Sequence, residues 1–318
     1  MRVMLHEKLQ TDIFILDGGL ATELERKGFS LQNDPLWSAR LLVENPEAIV
    51  DVHKSYLEGG ADILTTASYQ ASRQGFQKYL GLTVEESENI IKSSVSLAKK
   101  AKEEFGKISK SGKDIVIAGS VGSYGAAMAD GSEYTGSFVS TVTFQELKTW
   151  HRHRIQCLVN AGVDVLAFET IPAQMEAEAL VSLLKEFPQT KAWLSFSCQS
   201  MDKTAHGEDV GEASKVCAEA SNPSQLIAIG VNCCSPEFAV NLLKNIHSAL
   251  PHYPLIVYPN SGELWDTHTG WKGEKVNPNR VYLNEWVAAN AKIIGGCCRT
   301  SPEDIADVYE FVQAKKKD

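Results

Sequence analysis

Three cysteines carry the most evident chemistry in this chain. Cys297 and Cys298 are adjacent and follow two glycines at the end of an apolar run, and Cys233 ends an earlier apolar run. A disulfide between neighbouring residues would be strained, so the adjacent pair indicates free thiols or metal ligands. Three thiolates and one open coordination position are typical of a catalytic zinc site, and soft sulfur ligands favour zinc over magnesium or calcium. The alternative is that these cysteines are small buried residues.

The other cysteines are expected to have no metal role. Cys234 adjoins Cys233, and successive side chains of an extended chain point in opposite directions, so only one of the two should be a ligand. Cys157, Cys198 and Cys217 are expected to be structural. The total of seven is odd, and the first residues lack the apolar stretch of a secretion signal. A disulfide framework is therefore not expected, and the pattern predicts a cytoplasmic protein with free thiols.

The elements that must position these thiols alternate along the chain. Eight short apolar runs, typical of strands buried on both faces of a parallel sheet, are separated by amphipathic segments. The runs span residues 13–17, 62–67, 115–120, 163–169, 192–198, 226–233, 254–260 and 292–298. Helices are predicted most clearly over 144–162, 235–250 and 301–314. The pattern predicts an α/β fold with a single (β/α)₈ barrel domain over residues 1–318, with a doubly wound open sheet as the alternative.

Polar residues concentrate where the predicted strands end. Asp17, Glu169 and Asn232 are at such positions, as are the cysteines already named. In a barrel of this type the functional groups lie at the C-terminal ends of the strands. We expect the ends of the sixth and eighth strands to be close enough for Cys233 to approach Cys297 and Cys298. Gly295-Gly296 would let the backbone turn tightly there.

Composition excludes some classes of function. The net charge of the 318 residues is −9 and no long basic patch is present, so nucleic acid is not an expected partner. No apolar run approaches the roughly 18–20 residues needed to span a bilayer, so no membrane partner is expected.

Eight stretches resemble the homocysteine S-methyltransferase family, especially its S-methylmethionine-dependent branch found in bacteria, yeasts and plants. They run nearly from end to end: DGGLATELERKG, LWSARLL, TTASYQAS, AGSVGSYGAAMADGSEYTG, FETIP, GVNC, VYPNSGELWD and GGCCRTSPEDI. The resemblance implies a barrel with one Zn²⁺ per chain, held by Cys233, Cys297 and Cys298.

Roles are expected for five further residues, and the same resemblance implies those of all except Tyr69, which is an aromatic candidate near a strand end. Carboxylates at the positions of Asp17 and Glu169 hold the amino group of homocysteine in related betaine-dependent enzymes, and we expect the same here. Asn232 is expected to orient this substrate beside the metal. Trp37 and Tyr69 are expected to contact the methyl donor.

The implied reaction transfers a methyl group from S-methylmethionine, or from S-adenosylmethionine, to the thiol of L-homocysteine and gives methionine. Betaine as donor and selenocysteine as acceptor remain alternatives, although Thr170 stands where betaine-dependent relatives have a tyrosine. A non-catalytic barrel with a structural zinc is the other alternative. A fourth protein ligand would mark that case, and Cys234 is the local candidate.

Three further hypotheses concern the surroundings of the site. Aromatic faces attract cations, so Trp37, Tyr69, Tyr124, Tyr134 and Trp265 are candidates for holding a sulfonium charge. The polar segment 119–138 is expected to be a long loop that shields the site. The HRHR stretch at 151–154 is expected to be a solvated helix face, because residues two apart on a helix do not share a face.

Overall fold

The computed structural model describes residues 5–109, 112–266, 270–272 and 278–316. The strands in these ranges are β1 Phe14–Ile15, β2 Ile63–Thr65, β3 Val116–Gly122, β4 Val165–Ile171, β5 Ala192–Phe196, β6 Leu226–Asn232, β7 Leu255–Tyr258, β8 Leu264–Asp266, β9 Gly270–Lys272 and β10 Ala291–Ile294.

The α-helices in the same ranges alternate with the strands. They are α1 Leu5–Lys8, α2 Leu20–Arg26, α3 Leu41–Glu44, α4 Pro46–Glu58, α5 Arg73–Leu80, α6 Val84–Ile108, α7 Tyr124–Met128, α8 Phe144–Asn160, α9 Gln174–Leu184, α10 Val210–Ala220, α11 Pro236–Ala249, α12 Pro278–Ala288 and α13 Pro302–Lys315. Short 3₁₀ helices cover Trp37–Arg40, Ser132–Tyr134 and Ser137–Ser140.

Eight parallel strands form a closed ring. Their order is β1-β10-β7-β6-β5-β4-β3-β2, and a parallel bridge between Leu16 and Ile63 joins β1 to β2. The N–H of Asp17 donates to the carbonyl of Ile63 at 3.1 Å across this junction. The barrel prediction is confirmed and the open sheet is excluded, and each of the eight predicted runs overlaps one barrel strand. The sequence pattern did not predict the antiparallel pair β8–β9, whose strands have three residues each.

Apolar side chains fill both faces of the barrel wall. A cluster that includes Leu16, Ile63, Trp193 and Ile293 fills the interior, and a larger cluster lies between the strands and the helices. Every residue of β4 is buried, as expected for a parallel strand covered on both sides. Functional polar side chains are therefore expected only at the ends of the strands, beyond the apolar part of the barrel.

The three predicted helices are confirmed, and local signals explain where they begin. Thr143 and Glu146 form a capping box at the start of α8, and Ser301 and Asp304 form one at the start of α13. Proline occupies the first position of both α11 and α13. None of the helices in the described ranges is long and apolar enough to cross a bilayer.

The prediction for the HRHR stretch is wrong for two of its residues. His151 and Arg154 are buried, whereas Arg152 and His153 are half-buried on the outer side of α8. Residues three apart share a helix face, so His151 and Arg154 lie together on the side that faces the barrel.

The prediction of a long loop over 119–138 is also wrong in part. The first residues of this stretch belong to β3, and α7 and two 3₁₀ helices follow. Ser123 caps α7 by accepting a hydrogen bond from the N–H of Ala126. We refer to residues 123–140, which begin after β3, as the covering segment.

Candidate functional site

Three thiols meet at the C-terminal end of the barrel. The Sγ atoms of Cys233, Cys297 and Cys298 all lie within 4.8 Å of one another, and those of Cys233 and Cys298 are 3.8 Å apart. Tetrahedral zinc with Zn–S bonds of about 2.3 Å requires sulfur atoms about 3.8 Å apart. The donor set and its spacing therefore fit zinc, as predicted, and leave a fourth position for a ligand from outside the protein.

The end of β7 holds the two cysteine segments together. The ends of the sixth and eighth barrel strands are close enough for the thiols to meet, as expected, although β7 lies between β6 and β10. The N–H of Cys233 donates to the carbonyl of Tyr258, and the N–H of Cys297 donates to the carbonyl of Pro259. Asn260 Oδ1 accepts a hydrogen bond from the N–H of Cys298 at 3.2 Å. Because β7 stops at Tyr258, the sulfurs can meet above it.

Gly295 and Gly296 are required by close packing. Neither has a positive φ, so the tight turn that we predicted is not the reason for them. A Cβ at Gly295 would lie 2.7 Å from the carbonyl oxygen of Asp17, and one at Gly296 would lie 2.1 Å from Thr300 Oγ1. The left-handed conformation occurs instead at Cys233, with φ of 51°. Such backbone strain is often found at functional sites.

Cys234 does not join the thiol cluster. It is buried among apolar side chains between the strands and the helices, and burial raises the pKa of its thiol to about 12. Cys157 and Cys217 are buried in the same apolar cluster, and Cys198 packs at its edge. Of the adjacent pair only Cys233 lies in the thiol cluster, in agreement with the expectation that only one of them is a ligand, and the described residues supply no fourth ligand from their His, Cys, Asp or Glu side chains.

Asp17 lies buried beside the end of β2. Its carboxylate accepts hydrogen bonds from the N–H of Thr65 at 2.8 Å and from the hydroxyl of Thr65 at 2.9 Å. Burial raises the pKa of Asp17 well above its ordinary value, these hydrogen bonds oppose that shift, and the charge of Glu169 adds to it. Thr65 therefore fixes the direction of a carboxylate that lacks a cationic partner among the described residues.

Glu169 is the second buried carboxylate at the site. Burial raises its pKa to about 7, and hydrogen bonds from the hydroxyls of Ser120 and Tyr258 oppose this shift. Tyr258 also contacts Ser195 Oγ at 2.5 Å and accepts from Trp193 Nε1 at 3.2 Å. Our sequence reasoning assigned no role to Thr65, Ser120 or Tyr258. In the sequence, the only indication of a role for these three residues was a polar side chain at or near the end of an apolar strand.

The side-chain amide of Asn232 forms three hydrogen bonds within the protein. Its Nδ2 donates to Thr170 Oγ1 at 2.8 Å, and its Oδ1 accepts from the N–H of Thr170 at 2.7 Å and from Ser195 Oγ at 2.8 Å. Thr170 has a φ of 57°, a conformation that the amide of Asn232 supports. The structure thus links Asn232 to the residue after Glu169.

The aromatic candidates differ in position. Trp37 and Tyr69 pack edge to face with ring centroids 6.3 Å apart, and the hydroxyl of Tyr134 lies 3.9 Å from Cys233 Sγ. Burial, and then the charge of Glu133, raise the pKa of Tyr69. Tyr124 instead packs against Phe138 and Trp150. The side chain of Trp265, another candidate, is outside the described residues.

A buried charged network lies behind the site. It consists of His151 and Arg154 on α8 and Glu176 on α9, and we call it the rear network. His151 Nε2 is 2.8 Å from Glu176 Oε1, and Arg154 Nη2 is 3.3 Å from His151 Nδ1. Arg154 donates to the backbone carbonyls of Tyr69, at 2.7 Å, and Gly122. The rear network therefore ties together the ends of β2 and β3.

Comparison with known proteins identifies the group of proteins that this chain resembles. The family model described as homocysteine S-methyltransferase matches residues 14–312. Homocysteine S-methyltransferase 1 of Arabidopsis thaliana is 45% identical over 306 residues, which cover 92% of this chain and 90% of that protein. Selenocysteine Se-methyltransferase of Brassica oleracea var. italica is 40% identical over 315 residues, which cover 95% and 89%.

A solved structure agrees with these matches. The metallated form of the homocysteine methyltransferase MmuM from Escherichia coli superposes with a TM-score of 0.83 at 40% sequence identity. The match covers 95% of this chain and 96% of that chain.

Proposed function

This chain belongs to the homocysteine S-methyltransferase family, and on that premise we propose that it transfers a methyl group from S-methylmethionine to the thiol of L-homocysteine. The observation that carries this proposal is the position of the three thiols at the same barrel end as two buried carboxylates without a cationic partner. An amino acid with a thiol offers what this arrangement lacks, which is a fourth sulfur ligand and an ammonium group.

The thiols and the carboxylates have separate tasks. Zinc held by Cys233, Cys297 and Cys298 would act as a Lewis acid that lowers the pKa of the homocysteine thiol, which would otherwise be near 8.5 as in cysteine. Asp17 and Glu169 would accept hydrogen bonds from the substrate ammonium group, which also neutralises their buried charge.

Neighbouring residues orient these carboxylates. Thr65 holds Asp17, and Ser120 and Tyr258 hold Glu169, so both carboxylates are positioned before the substrate arrives. Asn232 would act on the substrate through Thr170 and the backbone beside Glu169. Such preorganisation reduces the entropy that must be lost when the substrate and the donor are aligned.

Methyl transfer needs no acid for the leaving group. A bond forms between the homocysteine sulfur and the methyl carbon while the bond from that carbon to the donor sulfonium breaks. The thiol proton goes to solvent, and the donor leaves as a neutral thioether, so both molecules become methionine. Trp37, Tyr69 and Tyr134 would place aromatic faces around the sulfonium charge. The covering segment, which carries Tyr134 to Cys233, would exclude water during the transfer.

Selenocysteine is a second candidate acceptor, because a selenocysteine methyltransferase is 40% identical to this chain. A selenol would meet the same thiol cluster and the same carboxylates.

We further propose that residues 1–318 act as one domain in the cytoplasm. The seven cysteines are unpaired, which suits a reducing compartment.

The test combines zinc content with product formation. Wild type, Cys297→Ser and the control Cys234→Ala would be assayed for bound zinc and for methionine formed with S-methylmethionine, S-adenosylmethionine or betaine. We expect one zinc per chain and the fastest turnover with S-methylmethionine, both lost in Cys297→Ser and both kept in Cys234→Ala. Zinc without turnover on any donor would instead support a structural metal.

A further inference from the structure

A third carboxylate near the thiols, that of Glu133, has one oxygen without a hydrogen-bond partner among the described residues. Glu133 is in the 3₁₀ helix Ser132–Tyr134 of the covering segment. Its Oε2 atom is buried from solvent and has no hydrogen-bond partner among the described residues. A buried acceptor that is left unpaired costs free energy, and a buried charge costs more. A group of this kind requires an explanation in terms of what it binds.

The backbone around Glu133 is held firmly against the barrel. The carbonyl of Glu133 accepts a hydrogen bond from Ser197 Oγ at 3.0 Å, and Ser197 directly follows β5 and is itself buried. On the other side, a Cβ at Gly125 would lie 2.6 Å from the N–H nitrogen of Glu133, so α7 packs tightly on this turn. The position of the carboxylate is therefore set by the fold.

The chain brings Glu133 near the thiols. Glu133 directly precedes Tyr134, whose hydroxyl is 3.9 Å from Cys233 Sγ. Burial, and then the charge of Cys233, raise the pKa of Glu133. No lysine, arginine or histidine among the described residues forms an ion pair with Glu133, so its carboxylate is available to a cationic ligand.

We propose that Glu133 is a specificity-determining residue that binds the positive charge of the methyl donor. The inference rests on the proposed function, in which the donor is a sulfonium compound. Asp17 and Glu169 already serve the ammonium group of the acceptor, and they lie at the ends of β1 and β4. Glu133 instead lies on the covering segment directly before Tyr134, whose hydroxyl is 3.9 Å from Cys233 Sγ. Together, Glu133, Tyr69 and Tyr134 supply a negative charge and two aromatic faces for one cation.

The test removes the charge of Glu133 but keeps the shape of its side chain. Glu133→Gln has the size of a protonated glutamic acid, and Asp130→Asn is the matched control because Asp130 is an exposed carboxylate on the same segment. We expect Glu133→Gln to raise KM for S-methylmethionine about tenfold, the size of one charge-assisted contact. KM for homocysteine, bound zinc and Tm should stay at wild-type values. Glu133→Asp, which keeps the charge, should recover part of the loss, and Asp130→Asn should match wild type.

Two results would overturn the proposal. One is a Glu133→Gln enzyme with wild-type KM for S-methylmethionine. The other is an equal rise of both KM values with a lower Tm, which would mean that Glu133 only supports the fold. Calorimetric titration of S-methylmethionine into each protein without homocysteine separates this proposal from the proposed function. If wild type binds the donor but makes no methionine, weaker binding by Glu133→Gln still supports the role of Glu133, and equal binding refutes it.

Discussion

Two groups of buried charges in this barrel are built in opposite ways. In the rear network, Arg154 and His151 lie beside Glu176, so positive and negative groups are buried together. The carboxylates at the thiol end, namely Asp17, Glu169 and Glu133, receive hydrogen bonds from hydroxyls and backbone but form no ion pair among the described residues. We call these three the site carboxylates. The two groups differ in that only the rear network contains cationic groups, although Glu176 Oε2 and Arg154 Nε in that network also lack a hydrogen-bond partner among the described residues.

The difference distinguishes the rear network, whose charged groups support the fold, from the site carboxylates, which are available to bind a cationic ligand. In the rear network, removal of one partner would leave the other uncompensated in a low-dielectric interior, which is strongly destabilising. The site carboxylates cost stability until a cation arrives, which is reflected in the raised pKa of each. Neutralising substitutions should therefore have opposite effects in the two groups.

The largest expected effect is on stability in the rear network. Arg154→Met leaves Glu176 without its cation and two backbone carbonyls without a donor, so we expect the free energy of unfolding to fall by about 3–5 kcal/mol. Urea denaturation of the zinc-loaded protein measures this. Arg152→Met is the matched control, because Arg152 pairs with Glu186 at the surface and should contribute less than about 1 kcal/mol. Similar losses in both variants would contradict the comparison.

The next effect is on activity at the site carboxylates. Asp17→Asn and Glu169→Gln each remove one contact to the substrate ammonium group, so we expect kcat/KM for homocysteine to fall about 100-fold. Stability should be unchanged or higher, because an uncompensated buried charge is gone. Steady-state kinetics and urea denaturation would be measured on the same samples. A variant that loses stability as well as activity would show that its carboxylate supports the fold.

A smaller effect concerns pH and stability. The pKa of Glu169 is about 7 in the folded protein and 4.5 is its ordinary value, so the unfolded chain binds fewer protons between these values. Stability due to this group must therefore decrease as the pH rises through that window, by about 2 kcal/mol between about pH 5 and about pH 8. Glu169→Gln should lack this contribution. The measurement is the pH dependence of unfolding for wild type minus that for the variant, and a zero difference would contradict the raised pKa.

The smallest expected effect concerns the hydrogen bond that orients the carboxylate of Asp17. Thr65→Val keeps the shape of the side chain but removes the hydroxyl that donates to Asp17. We expect KM for homocysteine to rise about threefold to tenfold with little change in kcat, since one hydrogen bond to a charged group is lost. Steady-state kinetics at saturating S-methylmethionine would show it. A wild-type KM would mean that the N–H of Thr65 alone orients Asp17.

Local patterns in the sequence predicted much of the fold. Apolar runs predicted all eight barrel strands, and amphipathic segments predicted α8, α11 and α13. The supports of the site could not be predicted in this way. Thr65 binds Asp17 across 48 positions of sequence, and Arg154 binds the carbonyl of Tyr69 across 85. Contacts between residues so far apart in the sequence produce no periodic pattern. The sequence also does not show whether an arginine is buried or exposed, because that depends on its partners in the folded protein.

The sequence by itself determined the alternation of strands and helices, the thiol ligands and the family, because these depend on local propensity and on residue identity at matching positions. Only the tertiary structure decided that β7 lies between the two cysteine segments, that the three thiols lie within 4.8 Å of one another, and that Glu133 Oε2 has no hydrogen-bond partner among the described residues. These facts depend on strand order, side-chain direction and the environment of each charge. They arise when distant segments pack together, and the solvation and pairing of a charge are set at that stage.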